Sequence, residues 1–301
     1  MNTPAIAGLR APNRILAVLA LVLTMTIWGS AFAVTKATLS EVPPFTLAFL
    51  RFVVAVAVMM PFVLRQKREV GSVTRAPWRV IALMGLTGVA LHYGFYHLGL
   101  SYTTTTNAAL IQGTIPAVTI VASAWLLRER IGWLRASGVA GSIAGVAIII
   151  LAGTESGPSK LSLLGDLFMV GTVVAWTAYT LLGKLARESQ SGLFTTALSN
   201  SFGAAFLVPF AAYEVLTNGA AAYSTSAWVS LVYLGVVSSA LAMFLWNYSL
   251  AHLTAGQAGA FVNLEPVVAV AVAILYLGEP VLLWQLVGGA LVLIGVYLAN
   301  R

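Results

Sequence analysis

Residues 107–130 read NAALIQGTIPAVTIVASAWLLRER, and residues 257–280 read QAGAFVNLEPVVAVAVAILYLGEP. Superposed at an offset of roughly 150 residues, they place Ala108 on Ala258, Pro116 on Pro266 and Glu129 on Glu279, the signature of an internal repeat. Each is an apolar run of the length that a helix rising about 1.5 Å per residue needs to cross a hydrocarbon layer of about 30 Å. The register holds outward from there. Trp28 and Lys36 fall on Trp176 and Lys184, Tyr96, Leu100 and Thr104 on Trp246, Leu250 and Thr254, and Gly138, Gly145 and Val146 on Gly288, Gly295 and Val296. One register kept across several spans implies two copies of a unit of about five helices. Because five is odd, the second copy enters the bilayer upside down, the architecture in which secondary transporters place a binding site near midplane between halves.

The composition requires lipid as the solvent. The chain has 301 residues, 59% of them hydrophobic and 8% charged, with a mean hydropathy of +0.92. A soluble chain runs near one quarter charged, and one soluble core does not bury so much apolar surface. The expected fold is all-α integral membrane, with ten transmembrane helices at about 15–36, 44–64, 77–99, 103–127, 133–152, 163–186, 191–214, 225–250, 255–278 and 282–299. They divide into a first five-helix repeat, 1–152, a turn-rich connection, 153–162, and a second five-helix repeat, 163–301. Short alternating strands of a barrel are absent from the pattern. Arg10 and Arg14 before an apolar run, with Ala31 and Ala33 after it, imitate a cleaved leader. The run from Ile15 to Val34 is longer than a leader core of about 7 to 15 residues, and Trp28 has a repeat mate, so a retained helix is expected.

Charge sets the orientation. Arg65, Lys67, Arg68 and Arg75, then Arg128, Arg130 and Arg135, then Lys184 and Arg187 occupy alternate connections, on the side of Arg10, Arg14 and Arg301. That side is cytoplasmic by the positive-inside rule, so both termini are expected there. The opposite connections hold little more than Lys36 and Lys160. A net charge of +7 is then explained by topology and anionic lipid, with no nucleic-acid partner. With no cysteine, histidine only at 92, 97 and 252, and no HExxH, GxSxG or Walker A pattern, neither an enzyme nor a metal site is expected.

The segment Trp28-Gly29-Ser30-Ala31-Phe32, the stretch from Pro44 ending Leu50-Arg51-Phe52, the helix from Asn107 through Pro116 to Glu129, and its copy through Glu265-Pro266 to Gly278-Glu279-Pro280 resemble the EamA-type branch of the drug/metabolite transporter superfamily. The resemblance covers essentially the whole chain. It implies two inverted five-helix units, a central cavity and alternating access. Among the members, this chain looks most like bacterial inner-membrane exporters of amino acids, aromatic ones included, and of related metabolites. A passive channel-like facilitator and a multidrug or other metabolite exporter are the alternatives. The implied partners are small-molecule cargo, membrane lipid and protons as coupling ion, with no cofactor and a monomer as the working unit.

Within that frame, His92 and Tyr96 stand four apart on one helical face, Trp176 and Tyr179 three apart on a second, and Trp28 and Phe32 four apart on a third. The resemblance puts these helices around the cavity, where stacking surfaces with polar edges suit flat or apolar cargo. Trp78, Trp125, Trp133, Trp228 and Trp284, near span ends, read instead as an interfacial belt. Glu265 lies about 16 Å into its span at helical rise, where a carboxylate facing lipid is expensive, so it faces protein. It either binds cargo or carries a proton, or it is a structural group bonded to a neighbouring helix. Its repeat mate is Ile115, so its role is asymmetric. Arg51, about seven residues from a span end, reads as a structural arginine within snorkelling reach of the interface, with a pair to Glu265 as an alternative that sequence does not decide. Pro116 and Pro266 free backbone carbonyls near midplane for kinking, gating or contact with cargo. Gln112 and Asn263 are candidate cargo contacts, and with Asn107 and Gln257 they equally suit helix-to-helix bonding. Gly141 to Gly145 reads as helix packing. The scarcity of intramembrane Lys and Arg argues against phosphorylated cargo and for small neutral or zwitterionic solutes.

Overall fold

The computed structural model describes residues 11–65, 75–127, 132–152, 159–186, 192–219, 222–253 and 261–300. Glu129, Gln257, the connection at 153–158 and the basic stretches at 66–74, 128–131 and 187–191 lie outside them. The described residues form α1 (Ala11–Thr38), α2 (Pro44–Arg65), α3 (75–102), α4 (105–127), α5 (Trp133–Ala152), α6 (Lys160–Ala186), α7 (Gly192–Asn218), α8 (225–252), α9 (Leu264–Leu277) and α10 (Leu283–Ala299). Eight of these are long and apolar enough to cross a membrane, and α9 and α10 are shorter apolar helices. Helices satisfy their own backbone, the condition for crossing hydrocarbon. The belt tryptophans Trp78, Trp125, Trp133, Trp228 and Trp284 are all exposed on the surface of the bundle.

Two helices are wound loosely in the middle. Leu86–Leu91 of α3 and Tyr233–Leu241 of α8 are π-helical, and the offset of roughly 150 residues carries one onto the other. Two more are broken. In α4 the helix stops at Gln112 and resumes at Ile115, and α9 is interrupted at Asn263. The cause is the proline that follows each break, which has no N–H to donate to the preceding turn. Of the ninth span, expected as one run over 255–278, residues 254–260 lie outside the described residues, 261–262 are helical, and the helix resumes at Leu264 after the break.

Packing follows the same register. α1 packs on α8 and α9, and α6 packs on α3 and α4, so the contacts of the second half mirror those of the first. α2 pairs with α7, and α5 with α10. The last pair shows the symmetry in atoms. A Cβ on Gly138 would lie 2.5 Å from Gly295 O and one on Gly295 would lie 2.5 Å from Gly138 O; Gly145 and Gly288 stand in the same reciprocal relation at 2.5 and 2.7 Å. Gly138 and Gly288 are sequence mates, as are Gly145 and Gly295, so the contacts between these two helices are symmetric. Lipid removes most of the hydrophobic drive between helices, and such close backbone approach supplies dispersion contact in its place.

Candidate functional site

A cavity of about 550 Å³ lies among α1, α2, α3, α4, α6, α8 and α9, within the ordinary size range of ligand pockets. One wall is aromatic. The His92 ring stacks parallel to Tyr96 at 6.3 Å and lies 4.8 Å from Trp176. His92 Nδ1 is 3.2 Å from Thr172 O, which only accepts, so this nitrogen carries a proton and holds the ring in place. Across the cavity, Trp28 lies 5.7 Å from Trp246 and donates its indole N–H to Ser238 O at 3.0 Å. Gln112 lines the floor and donates to Thr172 Oγ1 at 3.2 Å. Pro116 and Pro266 line it as well, beside the two helix breaks.

Of the residues singled out in the sequence, Trp28, His92, Tyr96, Gln112, Trp176, Glu265, Pro116 and Pro266 all line this one cavity. Tyr179 and Asn263 do not. Tyr179 lies beneath Trp176, 4.9 Å ring to ring, and packs on Gly88 in the π-helical stretch of α3, beside a small adjoining pocket. Asn263 sits in the α9 break with its Oδ1 buried and unbonded among the described residues.

Arg51 is buried against α8. It does not snorkel. It is 2% exposed, lines the cavity, donates from Nε to Ser239 Oγ at 2.7 Å and from Nη2 to Ser238 Oγ at 3.0 Å, and sits 4.5 Å from the Tyr93 ring centroid. The π-helical turn of α8 presents both serines, and no sequence period announces such a turn. Trp246 was legible, because it is the repeat mate of Tyr96.

The two ends of the cavity differ. Lining continues through Ser123 and Ala124 to Arg135 and Asn300, at the end of α4, the start of α5 and the end of α10. Beyond the opposite end of the lining, polar ties join the helices. Lys36 Nζ donates to Leu100 O at 2.6 Å and Thr103 O at 2.8 Å, one carbonyl in the last turn of α3 and one just past its end. The Glu279 carboxylate accepts from the amides of Thr105 and Thr106 at 2.9 and 3.1 Å, the first of α4. Each charge thus meets the helix end whose unsatisfied groups and dipole it complements. Buried Asp166 of α6 accepts from Thr103 Oγ1 and Asn107 Nδ2, and Asn107 Oδ1 accepts from Gln285 Nε2 of α10 at 2.7 Å.

The model of the EamA-like transporter family matches residues 15–151 and again 163–301. The chain belongs to the EamA-like transporter family. An uncharacterized transporter of Archaeoglobus fulgidus is 32% identical over 94% of this chain and 96% of its own length. A probable terminal-alkyne amino-acid exporter of Streptantibioticus cattleyicolor is 30% identical over 95% and 93%. One solved crystal structure shares the fold, with a TM-score of 0.62 at 20% identity over 96% of this chain and 98% of that one. This EamA-family chain is thus a multi-pass membrane transporter of the kind that moves small metabolites, and its role is transport and not catalysis. Among the described residues no group of three or more His, Asp or Glu is placed to hold a metal.

Proposed function

We propose that the chain is a secondary transporter of a bacterial inner membrane that exports small neutral or zwitterionic metabolites, amino acids with aromatic side chains among them. Its halves are inverted repeats that expose the cavity alternately to either side. One observation carries the reading: a cavity walled by helices of both halves has stacking aromatic rings and a few polar groups, and its lining runs out to Arg135 and Asn300 at one end. Arg135 marks that end, so the positive-inside rule makes this the conformation that faces the cytoplasm and loads cargo for export. The name of the relative in Streptantibioticus cattleyicolor supports amino-acid cargo. The polar ties at the Lys36–Glu279 end favour a carrier over an open pore. Glu265 lines the cavity and has no hydrogen-bond partner among the described residues, which suits a cargo ammonium or a coupling proton.

Counterflow in proteoliposomes tests the reading. Vesicles loaded with unlabelled phenylalanine or leucine should accumulate the labelled amino acid transiently, with saturation. A linear, non-saturating flux would favour a passive facilitator, and no flux across a broad metabolite panel would end the proposal.

A further inference from the structure

We propose that Arg51 is the anion receptor of the cavity, taking the carboxylate of an amino-acid cargo while Glu265 takes its ammonium group. The inference rests on the amino-acid reading above and specifies how the cavity recognises its cargo. Arg51 spends Nε and Nη2 on two neutral hydroxyls and one guanidinium face on Tyr93. None of these neutralises its charge, and Nη1 has no hydrogen bond among the described residues. A guanidinium stays protonated at any accessible pH, so this cation does not escape its cost by titrating.

Glu265 lines the same cavity with neither a hydrogen bond nor an ion pair among the described residues. If neutrality were their only task, the two would join. Instead Arg51 is tied to α8 through Ser238 and Ser239, while Glu265 belongs to α9, and no ion pair forms between them. A buried charge left unpaired is expensive, and two opposite charges held apart ask for a ligand that carries both. An α-amino acid is such a ligand. Its carboxylate offers two oxygens to the guanidinium fork, whose planar geometry suits bidentate pairing. A simple amine leaves Arg51 unmatched, and a simple carboxylic acid leaves Glu265 unmatched.

The full-length protein in liposomes, tested with matched triplets, decides the matter: phenylalanine, 2-phenylethylamine and 3-phenylpropanoate, with the leucine set as a second series. Each competes for labelled phenylalanine. Wild type should bind the amino acid at least tenfold better than the matching amine or acid. Arg51→Gln should collapse the preference over the amine and spare the preference over the acid, and Glu265→Gln should do the reverse. Arg51→Lys, which keeps the charge but not the fork, should restore part of the preference. Equal weakening of all three probes by Arg51→Gln would make it a structural tie and overturn the proposal. Should Arg51→Gln not fold, the wild-type ratio alone still decides: no preference for amino acid over amine overturns the proposal while amino-acid transport stands. Absence of any amino-acid transport overturns both readings together.

Discussion

Glu265 and Trp176 show how far a single side chain carries the function. Glu265 sits at the interior break of α9 without a described partner, so its removal should disturb transport more than folding. Glu265→Gln is expected to keep wild-type detergent stability while lowering counterflow or changing its pH dependence. Rates equal to wild type at every pH would return the residue to a structural role. Trp176 packs against His92 in a tilted ring contact and lines the cavity, whereas Trp284 is 59% exposed at the start of α10. A buried aromatic contact contributes about 0.5–1.5 kcal/mol beyond its area, equivalent to about a threefold to tenfold change in affinity. Trp176→Ala should therefore reorder the preferred amino acids in a competition panel, and Trp284→Ala should not. Identical panels for the two variants would remove Trp176 from cargo selection.

At the scale of the helices, the α5–α10 contact offers the sharpest test, because its glycines differ in what surrounds them. A methyl group at Gly138 would collide with Ala299 N and sit 2.5 Å from Gly295 O, backbone atoms that yield only if the helices separate. At Gly141 it would meet only Gly295 Cα, at 3.8 Å, an ordinary contact. Overpacking of this kind costs on the order of 1–3 kcal/mol. Gly138→Ala should lower the melting temperature in detergent and Gly141→Ala should not, although both belong to the same stripe of small residues. At the Lys36 end, Glu279 supplies acceptors for two helix-terminal amides, an arrangement worth roughly 0.5–2 kcal/mol for a capping group. Glu279→Ala should loosen that end and raise the labelling of a cysteine placed at Thr106, which is 1% exposed in the native protein.

The whole molecule is tested through its own composition, since it has no cysteine and every introduced thiol is a unique label. A cysteine at Ser123, toward the Arg135 end, should react with a membrane-impermeant maleimide added from the cytoplasmic face, and one at Thr106 should be protected from either face. Reporter fusions after Arg75 and Arg301 should read cytoplasmic, and one after Gly157 periplasmic. A periplasmic signal at Arg301 would break the even span count and with it the inverted pairing of the halves.

Length and hydropathy determined by themselves that lipid is the solvent, because segments of about 20 apolar residues have no other stable environment. The offset of roughly 150 residues also determined which helices correspond, since a duplication leaves its register in the order of residues. It even marked Trp246 as the counterpart of Tyr96. What sequence left open was where each polar side chain points, because a residue such as Asn263 or Tyr179 lies one turn from a cavity-lining neighbour and differs from it only by rotation about the helix. Arg51 is the clearest case. Its depth in α2 allowed either escape to the interface or burial, and only the tertiary structure chose, by bringing a π-helical turn of α8, nearly two hundred residues away, to meet it with two hydroxyls.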